Sequence, residues 1–312
     1  MAQPATEPQR IQYFDLAKGI CILLVLWFHL KESQHIHSVT DVYLDAVRMP
    51  LYFFLSGFFF KTYGGFRAFL GKKAMKLMVP FAFFYLTTSV LLPILAHRFL
   101  GIEFSTGQDW HLIYAFLTYS PFPNIPLWFL WGLFVLNLTF YAVKRFVRSD
   151  LAIGLCCLVL GALLGYAFNL PASLSATFRG LIFFYLGYIF HKHDIVERMK
   201  LQYAIPAAAT AFLALGFIVP GNPVALAIVR VLTSMAGITL LVLVCRTIGR
   251  LPYVSYVGRY SIMLLVTHEP LIRLLLILHI DNILMSFVLI AASYLAIIPF
   301  MRKYMPCVTA QR

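Results

Sequence analysis

The chain has 312 residues, 61% of them hydrophobic and 12% charged. Soluble domains carry about 25% charged residues, so this composition excludes an ordinary soluble domain and marks an integral membrane protein. Its net charge of +13 would suit a nucleic-acid binder only if the basic residues formed a patch or stripe, and they do not.

A membrane span needs about 20 mostly apolar residues. Ten such segments are predicted, near 14–31, 44–60, 77–96, 126–143, 151–168, 175–190, 202–220, 224–245, 260–279 and 283–301. The fold class is therefore an all-α polytopic membrane protein, a bundle of about ten transmembrane helices. With a cytoplasmic N-terminus, 19 of the 25 Lys and Arg fall in inner segments, and the outer loops keep only Lys31 and Arg98. This is the positive-inside pattern, so the basic excess reports topology and a nucleic-acid partner is not expected. Both termini are placed in the cytoplasm, with 1–13 and 302–312 as tails of a single membrane domain, 1–312. The first span is read as a retained anchor, because Lys31-Glu32 follows it where a cleavage site would need small residues. Five cysteines without metal spacing are read as small buried hydrophobes.

The first span carries Asp15, Lys18 and His29. At 100° per residue they share one stripe, with His29 about 16 Å along the axis from Lys18. Ionisable groups in a span are costly and are functional candidates by default; His29 has the chemistry of a general base near neutral pH. In the second span Arg48, Tyr52 and Ser56 repeat at i, i+4, i+8, and Gly57 permits a close helix approach. Ser56 shows no nucleophile-elbow pattern, so its expected role is hydrogen bonding. Lys72-Lys73-Ala-Met-Lys76 stands just before the third span, where it would meet anionic lipid or hold the phosphates of a cytoplasmic donor.

The long outer loop 97–125 contains Trp110–Tyr119, apolar but short for a span, and is read as interfacial or re-entrant. Asn137-Leu-Thr139 matches a glycosylation sequon but lies within the fourth span, and Gly161 and Gly165 suit close helix packing in the fifth. In the ninth span Pro270 is expected to kink the helix near mid-membrane beside His268. Glu269 and Arg273, at i and i+4, can pair. Arg48, Arg179, Arg230 and Arg273 all fall in outer halves of spans. Snorkelling explains any one of them; four at one depth, level with His29, point to a polar outer cavity. His35/His37 and His191/His193 lack further ligands at useful spacing, so no metal site is expected. No phosphate-binding glycine motif appears. These features fit an enzyme and a transporter or flippase for a lipid-linked sugar equally well; a non-enzymatic component of a polysaccharide assembly complex is a third reading.

Five runs in order change that balance: Asp15 with Lys18-x10-His29; Phe53-Phe-Leu-Ser56-Gly57-Phe58; Lys73-x-x-Lys76; Pro126-Leu-Trp128-Phe-Leu130; and Gly258-Arg-Tyr-Ser261 leading to His268-Glu-Pro270. Over nearly its whole length the chain resembles the membrane-bound acyltransferase-3 family, in particular stand-alone members similar to fucose 4-O-acetyltransferases. The resemblance implies transfer of an acetyl group from acetyl-CoA, a substrate rather than a resident cofactor, to a hydroxyl of a cell-surface or exported carbohydrate, lipid-linked acceptors included. The setting it implies is the bacterial cytoplasmic membrane, with membrane lipids as neighbours. His29 would be the catalytic histidine, with His268 and Asp15 as further catalytic candidates. Lys18, Lys73 and Lys76 would bind the donor. Arg48, Tyr52, Ser56, Trp128, Arg179, Arg230, Glu269 and Arg273 would line the acceptor site or cavity. The family's arginines are lysines here at 18, 73 and 76, and Glu269 replaces a bulky residue. The outer esterase-like domain of larger members does not appear, which leaves the chemistry to the membrane core.

Overall fold

The structure, a computed structural model, describes residues 11–101 and 124–309. The predicted Trp110–Tyr119 segment lies outside the described residues. Among the described residues there is no strand, and the chain runs through eleven main helices. These are α1 Gln12–Ser33, α2 Asp41–Phe58, α3 Phe66–Phe99, α4 Ile125–Phe146, α5 Asp150–Ala167 and α6 Ala172–Lys192, then α7 Leu201–Gly216, α8 Pro223–Ile248, α9 Pro252–Arg259, α10 Ser261–Ile277 and α11 Ile283–Tyr304.

Seven of these helices are long and apolar enough to cross a membrane, and eight spans result if α9 and α10 count as one bent span. The other two predicted segments are helical as well. α2 has 18 residues but carries Asp41, Asp45 and Arg48, and α7 is 16 residues long. The protein is a multi-pass, all-α membrane protein.

α1 is the central helix, in contact with α2, α8, α9, α10 and α11. Its approach to α9 is backbone against backbone. A methyl group on Gly19 would land on the Val254 carbonyl, and one on Gly258 would land on the Asp15 carbonyl. α2 and α6 interlock in the same way, Gly57 against the Phe184 carbonyl and Gly187 against that of Phe54. In lipid, helices associate through close van der Waals packing more than through burial of apolar surface, so glycine at the crossing point brings the largest gain. The close approach expected of Gly57 is present, and Gly161 and Gly165 of α5 likewise pack against α6 at Phe178 and Arg179.

Two elements add to the sequence expectation. The Lys72–Lys76 cluster is helical, because the 34-residue α3 starts ahead of it and continues into the apolar stretch that follows. α3 begins at Phe66 because Phe69, fully buried, stacks on Tyr141 of α4 with ring centroids 4.5 Å apart. Within α3, Ala74–Met78 and Tyr85–Leu91 are π-helical turns. A π turn holds an extra residue, so it re-aims the side chains on either side; Lys73 and Lys76 flank and enter the first of them.

The second is around Pro270. The sharp bend, 90°, falls at Tyr260 between α9 and α10, and α10 runs continuously through Pro270. Proline has no N–H, so the carbonyl four residues back, Val266, loses its helical partner. Asn124, just ahead of α4, supplies it: Asn124 Nδ2 donates to Val266 O at 3.0 Å and to Thr88 Oγ1 at 2.7 Å. A neighbouring segment thus satisfies the acceptor that proline orphans, and α10 is continuous. Cys21, Cys157 and Cys245 are buried as expected, whereas Cys307 is exposed in the C-terminal turn.

Asn124→Leu should lower unfolding stability in detergent by about 1–3 kcal/mol, the cost of an unsatisfied buried acceptor. Pro270→Ala restores an N–H to Val266, so the loss should be clearly smaller in the Asn124→Leu/Pro270→Ala protein. Equal losses in the two backgrounds, read from thermal midpoints, would show that Asn124 does not compensate for the proline.

Candidate active site

Polar side chains gather at two levels along α1. At the level of Lys18, a cavity of about 280 Å³ is lined by Lys18, Tyr52, Ser56, Lys73, Lys76, Asn137, Arg259 and Ser261, with Leu55, Phe59, Leu77, Leu133 and Gly258. α1, α2, α3, α4 and the α9–α10 bend each contribute to its wall. Four cations therefore face one space, each on a different helix or turn of helix. The stems are seated on aromatic rings: Lys18 Nζ lies 4.9 Å from the Phe59 ring centre and Lys73 Nζ 5.7 Å from that of Phe69. Tyr52 Oη donates to the Lys18 carbonyl at 3.2 Å, tying α1 and α2 together at the cavity. Such a ring of ammonium and guanidinium groups over hydroxyls is suited to an anion, held by point charges rather than by bidentate forks.

At the other level, His29 of α1 meets His268 and Glu269 of α10. The imidazole centroids are 5.1 Å apart, and His29 Nδ1 is 3.6 Å from Glu269 Oε2. Glu269 is almost fully buried, and its other oxygen accepts from Arg273, NH2 at 2.9 Å and Nε at 3.1 Å. His268 Nδ1 is 2.7 Å from the Leu264 carbonyl. A carbonyl only accepts, so the proton is on Nδ1 and Nε2 keeps its lone pair; Nε2 is buried and has no partner among the described residues. Beside this cluster, the Arg48 guanidinium lies 3.4 Å from the centre of the Phe28 ring and pairs with Asp45 at 2.7 Å. Phe28 in turn meets His29 edge-on at 5.0 Å.

The predicted site residues are thus sorted by depth. Lys18, Lys73 and Lys76 come together as expected. Tyr52 and Ser56 join them rather than the histidines, because each turn of α2 carries its stripe about 6 Å further from Arg48. Asp15 is buried against α9, about 21 Å along α1 from His29; that distance separates it from any proton transfer at His29. Of the four arginines expected at one cavity, Arg48 and Arg273 are at the histidine cluster. Arg179 is exposed and lies over the Tyr166 ring at 5.2 Å. Arg230 lines a separate cavity of about 480 Å³ between α2, α7 and α8, together with Asp45. Depth predicts level but not azimuth, and these two helices turn their arginines elsewhere. Trp128 opens the α-helical part of α4, half-buried, with its ring 5.9 Å from that of Phe129.

Three lining residues were not singled out from sequence. Arg259 counted only as a topology signal, Ser261 only as a motif position, and Asn137 only as a sequon. A polar amide in mid-span was the available signal for Asn137. The histidine cluster also has a donor set that spacing along the chain does not reveal. One atom each of His29, His268 and Glu269 lie within 4.8 Å of one another, close enough for a metal ion. Glu269 is already engaged by Arg273, and Arg48 adds a second cation nearby; both oppose a divalent ion electrostatically. His193, one of the dismissed histidines, is instead 3.5 Å from Asp150, which also pairs with Lys192.

A family model described as an acyltransferase domain matches residues 11–302. No curated protein matches the chain, and no solved structure does.

Arg273→Leu leaves Glu269 buried without its counter-ion. The expected cost is about 2–3 kcal/mol, the low end for a broken buried pair because Arg273 is partly exposed. Adding Glu269→Gln should recover most of it. A thermal-unfolding cycle showing additive losses instead would mean the pair is not coupled.

Proposed function

The chain belongs to the acyltransferase-3 family, and from that premise we propose that it moves an acetyl group from cytoplasmic acetyl-CoA to a carbohydrate hydroxyl presented from the opposite face of a bacterial cytoplasmic membrane. The observation that supports this most is the pairing of a cationic cavity and a histidine–glutamate cluster on one helix. Lys18 and His29 of α1 are about 16 Å apart along its axis, so phosphates held by the first would leave a thioester arm reaching toward the second.

Acetyl transfer needs three things from the protein. The donor's phosphates must be held, and Lys18, Lys73, Lys76 and Arg259 supply positive charge at one cavity. The acceptor hydroxyl must lose its proton as it attacks. His29 takes that proton on Nε2; Glu269, 3.6 Å from Nδ1, favours the tautomer with the proton on Nδ1 and offsets the charge that forms on the ring. The oxygen forms a bond to the thioester carbonyl carbon, the C–S bond breaks, and the departing sulfur takes the proton back from His29 to leave a free thiol. Third, the acceptor must be oriented, and the unpartnered Nε2 of His268 can accept a hydrogen bond from a second sugar hydroxyl. Water must be kept from the thioester throughout. The flanking core is tightly packed at Leu26, Leu264 and Ile272, all essentially without exposure.

General-base assistance contributes about 10²–10⁴-fold. In proteoliposomes supplied with acetyl-CoA and a glycan acceptor, His29→Ala should cut acetyl transfer by about that factor with no loss of protein. Lys73→Ala with Lys76→Ala should raise the donor KM. Mass spectrometry of the acceptor and release of free thiol are the readouts. Wild-type-level transfer by the His29 variant would overturn the base assignment. Movement of a lipid-linked sugar without thioester consumption would replace the enzyme reading by a transporter.

A further inference from the structure

One polar group in the cationic cavity is left over by this account. Asn137 of α4 is 2% exposed and lines the cavity. Its Nδ2 donates to the Leu133 carbonyl at 2.7 Å. Only the amide nitrogen can bond a carbonyl, so the side-chain orientation is determined and Oδ1 is the free end. Oδ1 is buried and has no hydrogen-bond partner among the described residues. An unmet acceptor within a membrane bundle is costly, and replacing the side chain by leucine would remove that cost. A buried, oriented and unsatisfied acceptor beside an otherwise cationic cavity calls for a ligand that brings a donor.

Depth identifies the part of the ligand. Asn137 lies nine residues from Phe146, about 14 Å from the basic end of α4, and Leu133, one turn further from that end, lines the same cavity. The cavity wall thus continues past Asn137 into the apolar part of α4, away from its basic end. A CoA thioester bound by its phosphates at Lys18, Lys73 and Lys76 would extend its pantetheine arm into this depth. That arm is otherwise apolar but carries two amide N–H groups, donors of the kind Oδ1 lacks. The geometry points to Asn137 as the subsite that accepts a hydrogen bond from a pantetheine amide, setting how far the thioester reaches toward His29. This rests on the proposed CoA donor, and adds to it a residue that reads the arm rather than the phosphates.

The test compares three ligands by equilibrium binding to the full-length protein in nanodiscs. They are coenzyme A, its nucleotide portion 3′-phosphoadenosine 5′-diphosphate, and a coenzyme A analogue with both pantetheine amides replaced by esters. Asn137→Leu keeps the volume and should weaken coenzyme A by about tenfold, the size of one hydrogen bond to a buried group, while leaving the nucleotide unchanged. The ester analogue should bind wild type about tenfold more weakly than coenzyme A, and Asn137→Leu should weaken it no further. Lys73→Ala should weaken all three. Equal binding of coenzyme A by wild type and Asn137→Leu overturns the inference, as does equal weakening of coenzyme A and the nucleotide. The analogue comparison uses unaltered protein, so equal affinity for coenzyme A and its ester analogue overturns it even if the variant folds poorly. Failure of wild type to bind coenzyme A at all would overturn the donor reading itself, a different result from a wild type that binds and a variant that binds equally.

Discussion

The backbone contact between α1 and α9 at Gly19 and Gly258 is the constraint on which the rest of the site depends. Neither position has room for a methyl group, because each would meet a carbonyl or amide of the other helix. The residues on either side of the glycines line the cationic cavity. Lys18 precedes Gly19, Arg259 follows Gly258, and Ser261 starts α10 just beyond the bend. A one-residue slip of this contact would rotate Lys18 out of the cavity and carry Arg259 with it. Glycine brings the backbones close in lipid, where apolar surface alone provides no preference for one neighbour over another.

The same economy governs the polar groups. A membrane bundle cannot leave donors and acceptors to water, so most of its expensive groups have a partner, on another segment or one turn away on their own helix. Asn124 answers for the missing N–H of Pro270, and Arg273 holds Glu269. Arg48 rests on Phe28 and pairs with Asp45; Lys31 pairs with Asp41 at the end of α1. Nε2 of His268, NH1 of Arg48 and Oδ1 of Asn137 are left without a hydrogen-bond partner among the described residues, the first two at the histidine cluster and the third at the cationic cavity. The continuity of α10 through Pro270 matters for the first of these. His268 Nδ1 uses the Leu264 carbonyl of its own helix to set the ring, and a kink there would disturb that bond.

The chemistry is spread across the membrane rather than gathered at one point. The cations that would hold the donor and the histidines that would receive the acceptor share α1 but sit at different depths. α10 and α9 reproduce the division from the other side, Arg259 and Ser261 near the lysines, His268 and Glu269 near His29.

How much of this was legible in the sequence follows from the range of each signal. Composition, span length and the ordered motifs determined a polytopic helical acyltransferase, because those properties are summed along the chain and need no knowledge of neighbours. Helical periodicity likewise determined that Lys18 and His29 share a face and differ in depth. Tertiary structure decided which faces meet. It brought His268 and Glu269 to His29, admitted Arg259 and Asn137 to the lysine cavity, and turned Arg179 and Arg230 away from the histidines. It put a 90° bend at Tyr260, and placed Lys76 in a π turn. Each of these outcomes depends on a contact between segments distant in sequence: a glycine meeting a carbonyl, an asparagine replacing a lost N–H, an aromatic stack that starts a helix early. A one-dimensional pattern contains the groups able to make such contacts but not which pairs of them do.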